Sequence, residues 1–587
     1  MQSIQKLTLI IFLFLVNACS TTDLSDKISS LTFNLEEESI EQTDAEIEQE
    51  MLEEEQITES EKLENVKDPQ NFVKYYLRSK FSLYNSTSLD EITQNNYQVS
   101  LENPDSFQAQ EQAFILSLAN QNYANAINIL NNKTTTQELA FENLFLYSKA
   151  LAENDKGEAK AYLKELLNTQ NRLPLLKIIN AYFTYNETKD INQLKIDIAE
   201  INSSTALDGF KYYYTARAYE QMGDYATAFK LYSSAYFVNT LRTTAVFERL
   251  VYTARKLDFK NTKDIFKANN QYGENIYLVD QTFVDVEKIK ELDNSLAAIS
   301  AQAFYDLGWS IVQTNSNLAG LNFLALSDYI KPTDTAKIQL ARGYYNNTWE
   351  DSAIKLLESI KSDSEQYISA QIFLADIIKD KDTKKAVQIL QGLKKSTDLN
   401  HHYVDTIIGQ VYLNNEEYKA AIPYLNSALV NDKSSKVYFS RAVAYERTSQ
   451  YELAIDDLNT ALDKNPKNPI ILNYLGYLLI DLHKDIERGF LLIEESLRLD
   501  PLNPATLDSL GWALLKQKEY EKGLNYLEKA YSINSQDGVI TGHLADAYYL
   551  NGRTKEAIIY WKKALELEKK DHREIERIKN QLYKYNK

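Results

Sequence analysis

Near the end of the chain, apolar and small residues return in a fixed frame. Residues 507–534 and 541–568 align so that Leu510, Gly523, Leu527 and Ala530 are replaced in turn by Leu544, Ala557, Trp561 and Ala564. The offset is about 34 residues, the length of one helix-turn-helix repeat. The same frame carries Leu475, Gly476, Gly489, Ile493, Ser496 and Pro501, with one extra residue in its turn. It also carries Ala442, Tyr445, Ala454, Leu458 and Ala461, and before them Gly409, Tyr412, Ala421, Leu425 and Ala428. Upstream the frame weakens through Leu374, Ala375, Ala386, Leu390 and Ala341, Tyr344, Ala353, Leu357. It sharpens at Leu307, Gly308, Ile311, Gly320, Leu324 and Pro332, and once more at Ala216, Tyr219, Gly223, Tyr225, Ala228, Tyr232 and Ala235. Shorter fragments (Tyr123, Ala126, Leu130; Ala159, Leu163, Leu166) mark degenerate copies, and residues 241–300 hold no register.

The periodicity predicts pairs of antiparallel helices in which a Gly or Ala admits a large side chain such as Tyr412, Leu458 or Trp561 from the neighbouring helix. The whole chain uses only 16 Gly and 9 Pro, too few for the turns of a strand-rich fold. Its 587 residues exceed what one core usually supports, which a repeat array resolves because each pair is buried by its neighbours. The pattern resembles the tetratricopeptide repeat (TPR). That resemblance implies an all-α TPR helix-turn-helix solenoid, a superhelix whose first helices line a long groove and whose function is binding.

At the N-terminus a short segment with Lys6 precedes an uninterrupted apolar run at residues 7–16. About ten residues is too short to span a bilayer, which needs roughly 20, but suits a secretory signal. Cys19 follows as the single cysteine of the chain, so no intramolecular disulfide can form. The stretch "LVNACS" is similar to the lipobox of bacterial lipoproteins, although Asn17 is less usual there. This implies cleavage before Cys19, its acylation by fatty chains such as palmitate, and, with Ser20 next, an outer-membrane anchor facing the periplasm. The net charge of −19 argues against nucleic acid. Much of it is local, because residues 36–61 hold many acids and no Lys or Arg, the composition of a self-repelling tether. A competing reading has Ile40, Ile47, Met51 and Leu52 form an acidic helix that docks a basic partner. The expected organisation is a signal peptide at 1–18, lipidated Cys19 and tether at 19–70, degenerate helical repeats at 71–300, a TPR array at 301–571 and a C-terminal capping helix at 572–587.

Catalytic chemistry finds no constellation. His401, His402, His483, His543 and His572 lack metal-ligand spacing, so neither a metal nor another cofactor is expected. The Gly308–Ser310 "GWS" falls inside a predicted helix rather than a nucleophile elbow. Acidic pairs such as Asp456 and Asp457 read as solvated faces. The expectation is a non-enzymatic protein.

Transferred onto the repeat frame, the groove positions are Tyr403 and Gln410, Phe439, Asn473 and Tyr477, Asp508 and Trp512, Asp546 and Tyr549, with Trp309 in an upstream "LGW" copy. For Trp309 and Trp512, packing between repeats is the competing reading. TPR modules that clamp a terminal carboxylate use Lys, Asn and Arg where this chain has Asp508, Trp512, Phe439 and Val443, so that ligand class is not expected. The aromatic lining suits an apolar or extended peptide. In layout the chain is similar to LbcA-type adaptor lipoproteins, partners of a periplasmic carboxyl-terminal processing protease. This implies a membrane-anchored scaffold recruiting periplasmic proteins, a protease or cell-wall hydrolases. The alternatives are a pilotin-like assembly factor for an outer-membrane complex and, third, an enzyme with an unrecognised site within residues 71–300.

Overall fold

The computed structural model describes residues 69–585, apart from 135, 170–173, 202–207, 239–240, 242, 260–290, 315–317, 395–400 and 569–571. Cys19, the expected signal peptide and the acidic stretch at 36–61 lie outside the described residues. Among the described residues there are 28 α-helices, one π-helical turn at Ser234–Val238 and no strand. The fold is an all-α TPR solenoid, and no described helix is long and apolar enough to cross a membrane. The chain divides into two compact units, one ending at Ile377 and one beginning at Ile378.

In the second unit, successive hairpins pair Pro469–Asp481 with Ile486–Leu499, Pro504–Lys516 with Tyr520–Ile533, and Gly538–Leu550 with Thr554–Leu567. The chain enters each first helix through a side-chain cap: Asn468 accepts from the Ile470 and Ile471 amides, Asn503 from Thr506, and Asp537 from Val539 and Ile540. These caps satisfy amides that the helix itself leaves unpaired. Pro469 and Pro504 stand in the first turn, where a missing N–H costs nothing. Each hairpin turn contains one residue in the left-handed region, at Glu416, Ser449, His483, Lys518 and Gly552 in turn. The helices then meet across small residues. A Cβ on Gly476 would lie 2.7 Å from the Gly489 carbonyl oxygen, and one on Gly511 would lie 2.6 Å from Leu527 Cγ. Ala454, Ala461, Ala530, Ala557 and Ala564 are wholly buried in such seams, as is Trp561, which shares a core with Leu544, Ala545 and Ala547 of the preceding helix.

The first unit uses the same hairpins but does not stay one-dimensional. Its early helices Leu89–Glu102 and Phe107–Ala119 pack against Leu318–Ile330 and Glu350–Glu358. Tyr344 Oη donates to the Ala119 carbonyl at 2.6 Å, Tyr123 Oη to Ala325 at 2.8 Å, and the Leu89 amide to Ser352 Oγ at 2.8 Å. An open repeat array touches only its neighbours. This unit closes its start onto its end, and a single apolar core runs from Ala113 to Ile330.

A candidate protein-binding groove

In the second unit the first helices of successive pairs touch one another. Pro469–Asp481 meets Pro504–Lys516, which meets Gly538–Leu550, which meets the terminal helix His572–Tyr585. Side chains at equivalent positions on these helices therefore share one face. Tyr403, Phe439, Asn473, Tyr477, Trp512 and Tyr549 all lie half-buried on their first helices, whereas Asp508 is buried. Trp309 is also half-buried, but it belongs to Leu296–Thr314 of the first unit and is not part of this face.

Each residue has a distinct setting. Gln410 links within its helix to Asn414 and receives a weak bond from Ser440 at 3.4 Å. Phe439 stands edge-on to Tyr474, 5.5 Å between centroids, and Tyr474 Oη donates to Glu446 at 3.1 Å. Tyr549 packs obliquely on Trp561 at 5.8 Å, and the Trp561 indole N–H donates to Asp546 at 2.8 Å. Trp512 stacks flat on His543, 4.2 Å apart with 19° between planes, and donates its indole N–H to Asp481 at 3.3 Å. Lys516 and Arg577 place their cationic heads 4.8 and 5.4 Å from the same ring. Trp512 thus joins adjacent repeats while remaining half-buried on the candidate face.

His543 is the residue of this candidate face that sequence spacing alone missed. Its Nδ1 lies 2.9 Å from Asp508 Oδ2, and both side chains are buried. Burial disfavours the imidazolium, but the Asp508 charge and hydrogen bond, reinforced by Glu574, outweigh it and raise the histidine above its ordinary value. The available signal was that Asp508 and His543 fall 35 residues apart, one repeat plus one position. Burial raises Asp546 even though Arg577 pulls the other way. Tyr477 is raised by burial and then by Asp481, Asp508, Glu574 and Glu446. Among the described residues no group of His, Cys, Asp and Glu could hold a metal ion. The face therefore offers aromatic area, carboxylates and a buried Asp–His pair.

Residues 355–570 match the family model described as Tetratricopeptide repeat. Over 134 residues the chain is 26% identical to the TPR repeat-containing protein PA4667 of Pseudomonas aeruginosa, covering 23% of this chain and 22% of that protein. It is 24% identical over 148 residues to the type IV pilus assembly protein PilF of the same species, covering 25% of this chain and 58% of the relative. The chain thus spans less than two thirds of either protein's length. Similar solved structures include the thermophilic TPR protein TTC0263 of Thermus thermophilus, at 21% identity and a TM-score of 0.28, covering 31% of this chain and 99% of that one. Another is Pseudomonas aeruginosa PilF, at 20% identity and a TM-score of 0.26, covering 31% and 88%. With the repeat frame and the helix pairs, the matched span identifies residues 355–570 as tetratricopeptide repeats.

Proposed function

We propose that the chain is a non-catalytic scaffold, anchored through Cys19 to the outer membrane on its periplasmic side, that recruits protein partners such as a protease or cell-wall hydrolases. The observation that carries the reading is the row of half-buried aromatics, Tyr403, Phe439, Tyr477, Trp512 and Tyr549, on consecutive first helices. Large rigid side chains in a line supply contact area to an extended ligand at small entropic cost. The layout similar to LbcA-type adaptors supports the protease branch.

A second reading, an assembly factor for an outer-membrane complex, is favoured by the likeness to a protein whose name is type IV pilus assembly protein PilF. One experiment separates them: capture of partners from a crosslinked envelope by the full chain, by Tyr477→Ala and by the outer-surface control Lys529→Ala. Soluble hydrolases lost only with Tyr477→Ala support the adaptor, and secretin or barrel subunits lost in that way support assembly. If folded Tyr477→Ala retains every partner, the groove reading fails.

A further inference from the structure

We infer that the acidic segment at residues 36–61 docks on the exposed face of the chain's own first described helix, Pro69–Asn85. The inference goes beyond the scaffold reading and does not depend on it.

Pro69–Asn85 carries Lys74, Arg78 and Lys80 and no acidic residue, in a chain whose net charge is −19. It packs on Leu89–Glu102 through one face, where Ser79 and Ser82 are buried and Asn95 Nδ2 donates to Ser82 Oγ at 3.3 Å. The other face is exposed. Lys74, Leu77, Arg78 and Phe81 follow the i, i+3, i+4, i+7 spacing of a single helix stripe, and Phe81 is 67% exposed. Lys74 stands over the Tyr75 ring and Lys80 over the Tyr76 ring, but none of the three cations pairs with a carboxylate among the described residues. Apolar and basic groups in one stripe specify an occupant that is apolar and acidic.

An exposed face alone names no occupant, but the chain just before it does. Residues 36–61 lie outside the described ones, and their sequence holds many acids and no Lys or Arg. Ile40, Ile47 and Met51 are separated by seven and four residues, the spacing of one helix face, with Asp44 and Glu48 close to them in that frame. The segment therefore offers apolar groups to Leu77 and Phe81 and carboxylates to Lys74 and Arg78. Its connection is long enough to turn back. Residues 53–68 extend to about 50 Å, and Pro69–Asn85 is about 26 Å long. So short a link sets an effective concentration in the millimolar range, which a separate acidic partner would have to exceed. A lipid surface fits less well, because anionic headgroups that attract the three cations would repel the acids a few residues away. Where Cys19 anchors the chain, docking leaves residues 20–35 as leash, about 50 Å when extended against about 160 Å for residues 20–68.

The test follows amide hydrogen exchange by mass spectrometry in the full-length protein, with a free peptide of residues 36–61 as reference. Residues 36–61 should exchange at least about fivefold more slowly in the protein than in the peptide. Lys74→Gln/Arg78→Gln should remove about fivefold of that protection, the loss expected of two exposed charge pairs. Lys164→Gln/Lys177→Gln makes the same charge change at exposed positions of two other helices of the first unit and should leave it intact. Ile47→Ser/Met51→Ser, which alters nothing in the helix, should speed exchange in Pro69–Asn85 as well as in residues 36–61. Exchange of residues 36–61 at the free peptide's rate would overturn the inference and leave the stripe to a membrane or another protein. Equal loss from both cation pairs, or unchanged exchange of Pro69–Asn85 in Ile47→Ser/Met51→Ser, would also overturn it. Protection lost on tenfold dilution would place the segment on a second copy and overturn docking within one chain.

Discussion

The close helix seams make one substitution change sign with position. Gly476 lies within Pro469–Asp481, and a Cβ there would stand 2.7 Å from the Gly489 carbonyl oxygen and 2.8 Å from Ile493 Cγ1. Backbone cannot yield as a side chain can, so Gly476→Ala must push the two helices of the pair apart. Alanine brings about 1 kcal/mol of helix propensity, but overpacking of this kind costs about 1–3 kcal/mol. The expected net is a loss of about 1 kcal/mol. Gly392, near the end of Thr383–Leu393, has nothing within 4 Å of the added methyl. There the propensity acts alone and Gly392→Ala should gain about 0.5 kcal/mol, less than the mid-helix value because the helix ends one residue later. With two compact units, one global unfolding energy is not well defined. Amide hydrogen exchange, followed by mass spectrometry on peptides covering each helix, reads the local opening energy instead. Faster exchange across Pro469–Asp481 and Ile486–Leu499 in Gly476→Ala, with slower exchange in Gly392→Ala, is the expected outcome. Shifts of the same sign in both variants would refute the packing argument.

Three further outcomes follow from single residues. Gly552 closes its hairpin turn at φ +79 with open space around it, so Gly552→Ala should lose about 1 kcal/mol by backbone strain alone, seen as earlier urea unfolding. The Asp508 partner holds His543 above its unfolded value of 6.5 against the opposing effect of burial. The pair therefore stabilises fully below that pH and fades as pH rises through the folded value, so the stability gap between wild type and His543→Gln should narrow on going alkaline. Asp306 is fully buried and burial pushes it from 3.8 up to about 7, against hydrogen bonds from Gln302, Tyr214 and Thr243 and the Arg217 charge. Its ionisation opposes folding, so stability should fall between those pH values by at most about 4 kcal/mol. Asp306→Asn should flatten that fall, and an unchanged pH–stability curve would show that the carboxylate does not titrate there.

The hairpins of the second unit were legible because close approach demands a missing side chain. Gly476 with Gly489, and Gly511 with Gly523, stand in the frame where each would clash with its partner's backbone. The closure of the first unit was not legible. The bond from Tyr344 to Ala119 joins residues 225 positions apart, and such a contact leaves no period behind. On the candidate face, the frame placed Tyr477, Asp508 and Trp512 on adjacent first helices, but not what each touches. The stacking of Trp512 on His543 depends on a residue one position out of step, and the reach of Arg577 comes from a helix that carries no copy of the repeat.

That last helix divides the aromatic row into two kinds of position. His572–Tyr585 packs on Thr554–Leu567 and Gly538–Leu550, as a further first helix would. It can approach because Gly542 lacks a side chain; a Cβ there would lie 2.6 Å from Glu574 Oε1 and 3.0 Å from Ile578 Cδ1. Seated so, it delivers Arg577 to Asp546 and to the face of Trp512, and the carboxylate and aromatic capacity of that turn is spent within the chain. A partner reaching Trp512 must break a charge pair whose Asp546 side is buried, and leaving a buried carboxylate uncompensated is strongly unfavourable. A partner lying along Tyr477, Phe439 and Tyr403 would leave the Arg577–Asp546 pair intact and would pass Asn473, whose Oδ1 is buried without a donor. The terminal helix therefore closes one end of the row, so that a ligand using the proposed groove would run from Tyr477 back toward Tyr403.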